Sequence, residues 1–158
     1  MTIGYSGTPL ARKLSLRDGM RLWTEAMPDS VWRQIGASGL ALERLPSPET
    51  EIDAAHIFVT ECATLEARLI QLLPLLAPGG FIWVSWPKKA AKVATDITED
   101  TIREVCLPMG LVDLKVCTVD AVWSGLKLMR RRQSSCERFA LALHNSHDRV
   151  HLQLRHRE

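Results

Sequence analysis

Several features that would place the chain in a familiar functional class are missing from its 158 residues. No apolar run approaches the roughly 18 residues that a membrane-spanning helix needs, and the opening residues lack the apolar centre of a signal peptide. Neither sign of charge dominates, because 20 Lys and Arg residues stand against 18 Asp and Glu. A net charge of +2 argues against binding to nucleic acid through general electrostatics. We therefore expect neither a membrane nor a nucleic acid as partner.

Cysteine is scarce and follows no pairing pattern. The four thiols are scattered and form no C-x-x-C pair; they are Cys62, Cys106, Cys117 and Cys136. Scattered thiols in mainly apolar segments are typical of a reducing compartment, so a cytoplasmic protein is expected. The sequence also has no H-E-x-x-H and no G-x-S-x-G motif. It therefore predicts no metal site and identifies neither a catalytic residue nor a cofactor.

Apolar periodicity predicts strands that alternate with helices. In 63–76, Leu65, Leu69 and Leu72 recur at helical spacing. The last two strands are separated by almost no linker, so we expect them to pair antiparallel. The predicted fold is α/β: one Rossmann-like, methyltransferase-like, mainly parallel sheet with helices on both faces and a C-terminal antiparallel hairpin. The predicted strands are 20–25, 40–45, 55–60, 81–86, 111–119 and 122–131.

Composition divides the chain into two parts. Residues 1–131 are predicted to form the Rossmann-like domain, and 132–158 an Arg- and His-rich C-terminal tail. His144, His147 and His151 in this tail would share one face of a helix, which would suit zinc. No carboxylate pattern accompanies them, so a solvated tail is the favoured interpretation.

The segment "LAPGG" before a late strand, followed by a terminal hairpin, resembles class I methyltransferases. Those enzymes bind their cofactor at a glycine-rich turn after the first strand, where only glycine lets the backbone come close. This chain has no glycine between Met20 and Gly36, although Glu43 would suit an acid that holds a ribose. The resemblance implies the fold and does not imply the cofactor.

Four longer blocks carry a second resemblance. "GYSGTPL", "WPKKA", "GLVDLKVC" and "WSGLK" are similar to a family of uncharacterised bacterial proteins, a domain of unknown function. The resemblance covers about residues 4–131. It implies no reaction and no catalytic residue.

Two polar segments predict an anion site. "WPKK" follows a buried strand, at the edge where parallel sheets present ligands. "YSGT" precedes a helix start, where free N–H groups favour phosphate or carboxylate. The simpler alternative is helix capping, a packed tryptophan and solvated lysines. The predicted ligand-binding residues are Tyr5, Ser6, Thr8, Trp86, Lys88 and Lys89.

A third segment, "VDAVWSGLK", offers Asp120 or Ser124 as ligand contacts, with Lys127 as a charge partner. Its simpler interpretation is a turn aspartate and a packed hairpin. Taken together, the sequence predicts a domain that binds a small molecule or anion. An enzyme of the transferase class using the same pocket is one alternative, and an interaction module with a vestigial pocket is another.

Overall fold

The computed structural model describes residues 9–131. Its strands form one sheet in the order β2-β1-β3-β4-β6-β5. The first four are mutually parallel, whereas β6 runs antiparallel between β4 and β5. The predicted mainly parallel sheet with a C-terminal hairpin is therefore confirmed. The strands are β1 (Arg21–Glu25), β2 (Glu43–Arg44), β3 (Ile52–Phe58), β4 (Leu76–Pro87), β5 (Leu111–Thr118) and β6 (Trp123–Arg130).

The helices divide between the two faces of this sheet. Helices α1 (Leu10–Lys13) and α2 (Asp29–Gly36) pack on one face, against a cluster that includes Phe58 and Trp83. Helices α3 (Cys62–Leu72) and α4 (Glu99–Cys106) pack on the other, against Ile57 and Val84. The middle of β3 is buried on both faces, which explains its continuous apolar sequence.

Local sequence explains where helix α4 begins. The Thr98 hydroxyl accepts a hydrogen bond from the Thr101 backbone N–H at 3.1 Å, so Thr98 caps the helix as predicted. Glu99 and Asp100 in the first turn favour the positive end of the helix dipole. After a 3-10 turn at Leu107–Met109, Gly110 leaves the helical path at φ 86°.

The sequence predicted that the glycine pair of "LAPGG" ends a helix and that a strand begins at residue 81. The structure shows that this prediction is wrong. Helix α3 ends at Leu72, and β4 already begins at Leu76, so both glycines lie inside the strand. Gly79 has φ 79°, and the β3–β4 register shifts nearby. A Cβ on Gly80 would lie 2.7 Å from the Ile52 carbonyl oxygen, so close backbone approach demands glycine there.

Three further predictions concern membrane helices, cysteine pairing and the two ends of the chain. No helix among residues 9–131 is long and apolar enough to cross a membrane. Cys62, Cys106 and Cys117 are free thiols. Tyr5, Ser6 and Thr8, together with the predicted tail at 132–158, lie outside the described residues.

Candidate functional site

The structure separates the members of the "WPKK" segment. Trp86 is buried in the core on the α3–α4 face, in the cluster that contains Ile97 and Ile102. Lys88 is half-buried and Lys89 is exposed, directly after the end of β4. Neither amine forms a salt bridge with another residue in 9–131. The assignment of these residues to a ligand site stays a prediction.

The carboxyl end of β1 is occupied by paired side chains. Glu25 Oε1 lies 2.5 Å from Arg68 Nε of helix α3. On the next strand, Arg44 donates to the Thr24 hydroxyl at 3.0 Å and stacks 4.1 Å above the Trp32 ring. These contacts lie at the carboxyl ends of β1 and β2, the edge where open α/β sheets bind their ligands.

The same edge does not fit the adenosyl cofactor of class I methyltransferases. The turn after β1 consists of Ala26, at φ 57°, followed by Met27 and Pro28. All three residues carry a Cβ, whereas close approach of the backbone to the cofactor requires glycine. Glu43, the acid suggested for the ribose, lies beside the first residue of β1 and pairs with Arg21 at 3.2 Å. That position is at the other end of β1.

A cavity of about 960 Å³ lies on the α1 face, at the amino-terminal edge of the sheet. Gly79 and Phe81, from the first half of β4, line it, and Met129 pairs with Phe81 across β6. Helix α1 and the loops before β1 and after α2 supply the other walls. The lining residues are Pro9, Ala11, Arg12, Ser15, Leu16, Arg17, Asp18, Ser38, Leu40, Gly79, Phe81, Lys127 and Met129.

Lys127 projects from β6 into this cavity. Its Nζ donates a hydrogen bond to the Ser15 hydroxyl at 3.0 Å and lies 4.5 Å from the centre of the Phe81 ring. Burial lowers the pKa of the Lys127 amine, and the neighbouring positive charges of Lys115 and Arg17 lower it further. The cavity therefore holds an amine in a less polar setting than water, among other cations.

Among the described residues that line the cavity, basic side chains outnumber acidic ones. Arg12, Arg17 and Lys127 face one acid, Asp18, and its Oδ1 accepts a hydrogen bond from the Ala41 N–H at 2.8 Å. None of the three cations forms a salt bridge within residues 9–131. Such an arrangement favours a negatively charged ligand.

Sequence reasoning found only part of this site. It singled out Lys127, but with Asp120 and Ser124 as its companions. In the structure Asp120 Oδ1 accepts hydrogen bonds from the N–H groups of Val122 and Trp123, each at 2.8 Å, which makes it a turn aspartate. The two arginines were missed, because "ARKLSLRDG" at 11–19 reads only as the end of a short polar helix.

A buried polar pair joins the two central strands on the same face. His56 of β3 and Ser85 of β4 are nearly inaccessible, and Nε2 lies 2.6 Å from Oγ. The imidazole stacks on Phe58 at 4.4 Å. Burial lowers the pKa of His56 to about 3, so the ring is neutral near pH 7. The two buried side chains satisfy each other's hydrogen bonding within the core and offer no surface to a substrate.

Comparisons with known proteins support the fold. No protein-family model and no curated protein matches the chain. The ribosomal protein L11 methylase of Lactobacillus delbrueckii subsp. bulgaricus matches over 78% of this chain and 75% of its own, with a TM-score of 0.50 and 9% identity. A DhpI–SAH complex matches over 79% and 83%, with a TM-score of 0.52 and 14% identity. A putative type 11 methyltransferase from Sulfolobus solfataricus matches over 80% and 92%, with a TM-score of 0.52 and 10% identity.

The fold is methyltransferase-like. At these identities the likeness concerns architecture alone. The resemblance to the uncharacterised bacterial family stays an expectation.

Proposed function

We propose that this methyltransferase-like domain binds a small anionic molecule in the cavity beside α1. The observation that carries the proposal is the convergence of Arg12, Arg17 and Lys127 on one cavity without an acidic partner among the described residues. Its volume of about 960 Å³ lies within the range of roughly 300–1,000 Å³ that is usual for small-molecule sites. A bound anion would supply the missing negative charge.

The lining indicates what chemistry the ligand has. A guanidinium group presents a planar fork that matches carboxylate or phosphate, whereas the lysine acts as a point charge. Phe81, Leu40 and Met129 add an apolar wall. We therefore propose a ligand with a carboxylate or phosphate at one end and an apolar part at the other.

The sequence-predicted site is a second location for the same function. It comprises the opening segment "YSGT" and the segment "WPKK" at the end of β4. None of Trp86, Lys88 and Lys89 lines the cavity, so mutation separates the two locations. In the described part of the chain, the cavity has the stronger support because three cations and an apolar wall line the same concave space.

A thermal-shift screen of the full chain tests the proposal. Phosphate, short carboxylates and nucleotides are added at constant ionic strength, with chloride as reference. An anion present at about 100 times its Kd adds about 2.7 kcal/mol to the free energy of unfolding. We expect the double variant Arg12→Gln/Arg17→Gln to lose this stabilisation and the matched control Lys88→Ala/Lys89→Ala to keep it.

The opposite pattern, loss in the lysine variant alone, would place the anion at the end of β4. Stabilisation by none of the anions, in a folded parent protein, would overturn anion binding. It would favour an interaction module with a vestigial pocket.

A further inference from the structure

We propose that Lys127 is a nucleophilic amine that forms an imine with small anions carrying an aldehyde or ketone group. The inference rests on the proposed anion binding in the cavity beside α1 and adds to it a class of ligand and a covalent step. Two arginines would hold the anionic end of the molecule, and the amine would meet its carbonyl carbon.

The surroundings of Lys127 lower the pKa of its amine, chiefly through burial, and so raise the neutral, nucleophilic fraction at a given pH. The charged groups around it come from three directions: Arg12 from α1, Arg17 and Asp18 from the loop before β1, and Lys115 from β5. The acid already accepts the Ala41 N–H. No carboxylate of the described residues forms a salt bridge with the Lys127 ammonium, and Asp18 is the one acidic residue among those described that line the cavity with these cations.

Partial burial acts in the same direction. Removing an ammonium group from water disfavours its charged form, which is how lysine nucleophiles are activated in apolar, cation-rich sites. The Phe81 ring and the Ser15 hydroxyl fix the position of Nζ, at 4.5 and 3.0 Å. The amine is thus placed in the cavity by two contacts, neither of which is with an acid.

The reaction balances without an oxidant or reductant. Lys127 first releases one proton to solvent, and the Nζ lone pair then forms a bond to the carbonyl carbon. The carbonyl oxygen takes up two protons, one from the nitrogen and one from solvent, and leaves as water while the C=N bond forms as a protonated imine. Ser15, already hydrogen-bonded to Nζ, is placed to relay a proton between nitrogen and oxygen.

Other lysines of the chain provide an internal control. Lys89, Lys92 and Lys115 are exposed and do not line the cavity. In the test, the full chain is treated with glyoxylate and cyanoborohydride, and adducts are located by peptide mass spectrometry. We expect Lys127 to be labelled at least tenfold faster than any of these three. Labelling that is equal across the lysines would overturn the inference.

Glycolate and the variant Lys127→Arg separate this inference from the proposed function. Glycolate is an anion without a carbonyl, and arginine keeps the charge but cannot form the imine. We expect glycolate to stabilise the parent and to slow its labelling, while the variant shows no adduct at position 127. Stabilisation by glycolate without a glyoxylate adduct at Lys127 of the parent would overturn the imine and leave anion binding intact.

Two other outcomes count against the proposal. If no anion stabilises the folded parent and no adduct forms, both proposals fail. If neutral acetaldehyde labels Lys127 as fast as glyoxylate does, and Arg12→Gln/Arg17→Gln does not slow glyoxylate, the anionic requirement is wrong.

Discussion

The carboxyl edge of β1 and the cavity at the amino edge of the sheet differ in how their charges are partnered. At the carboxyl edge, Glu25 pairs with Arg68, and Arg44 is held by Thr24 and stacked on Trp32. In the cavity, three cations converge without an acidic partner among the described residues. The carboxyl edge of a parallel sheet therefore does not by itself identify a ligand site. The charged side chains there can pair with one another instead of with a ligand.

The turn after β1 explains much of this difference. A glycine-rich turn would expose backbone N–H groups to a ligand. Here the chain places Ala26, Met27 and Pro28 in that turn, and Pro28 has no N–H to offer. The backbone at this edge therefore offers fewer N–H groups to a ligand. The nearby side chains of Glu25 and Arg44 already pair with Arg68 and Thr24.

The largest expected effect concerns the backbone of the amino edge. Gly80→Ala would place a methyl group 2.7 Å from the Ile52 carbonyl and 2.9 Å from that of Ala77, so strands must separate. We expect a loss of about 3 kcal/mol in the free energy of unfolding. Gly79→Ala is the matched control: its Cβ would meet nothing within 4 Å, and only its φ of 79° is unfavourable, at about 1 kcal/mol. Urea unfolding measures both, and equal losses would contradict the close approach.

The second effect is a pH dependence from the pair that lies between the two edges. His56 has a pKa of about 3 in the folded protein against an ordinary value of 6.5. Between these values the unfolded chain binds a proton that the folded chain does not. Stability is therefore complete above about pH 6.5 and falls as the pH drops toward 3. Between pH 7 and pH 5 the loss is about 2 kcal/mol.

Urea unfolding at pH 7, 6 and 5 measures this loss. The double variant His56→Leu/Ser85→Ala removes both polar partners and should show a flat profile over that interval. Asp113, whose pKa is lowered chiefly by its hydrogen bond with Arg103, contributes only at lower pH, near and below 3.8. A profile in the double variant as steep as in the parent would assign the pH dependence to other groups.

A smaller effect tests whether the partnered charges of the carboxyl edge matter. Glu25→Gln leaves Arg68 without its carboxylate, and we expect a loss of about 1 kcal/mol, at the upper end for exposed pairs. The Glu25 side chain is 24% exposed, whereas Asp100, which pairs with Arg103, is 87% exposed. Asp100→Asn should therefore change stability by a few tenths of a kcal/mol at most. Equal losses in the free energy of unfolding would show that the Glu25–Arg68 pair contributes no more than an exposed surface pair.

Local patterns predicted most of the architecture. The spacing of leucines in 63–76 gave α3, and Thr98 gave the start of α4, because both depend on neighbours in sequence. The extension of β4 back to Leu76 was missed, since it depends on a contact between Gly80 and the distant Ile52 carbonyl.

The cavity was beyond local patterns for the same reason. Its walls come from segments far apart in the chain: 9–18, 38–40, 79–81 and 127–129. Lys127 and Ser15, its central polar contact, are separated by 112 positions. The pair of His56 and Ser85, 29 positions apart, escaped notice in segments that were classified by apolarity.

The smallest expected effect is the response to S-adenosylmethionine, for which we expect weak binding or none. Calorimetric titration of the full chain should give heats close to those of dilution. At the carboxyl edge, the turn after β1 has no glycine and Glu25 forms a salt bridge with Arg68. Glu43, the acid suggested for the ribose, pairs with Arg21 at the other end of β1. Ala26→Gly relieves the positive φ at that turn but leaves the side-chain contacts in place, so it should not create binding. Micromolar affinity in the parent would mean that a ligand can displace these side-chain pairs. Pairing of the charged side chains would then not distinguish the carboxyl edge from the cavity at the amino edge.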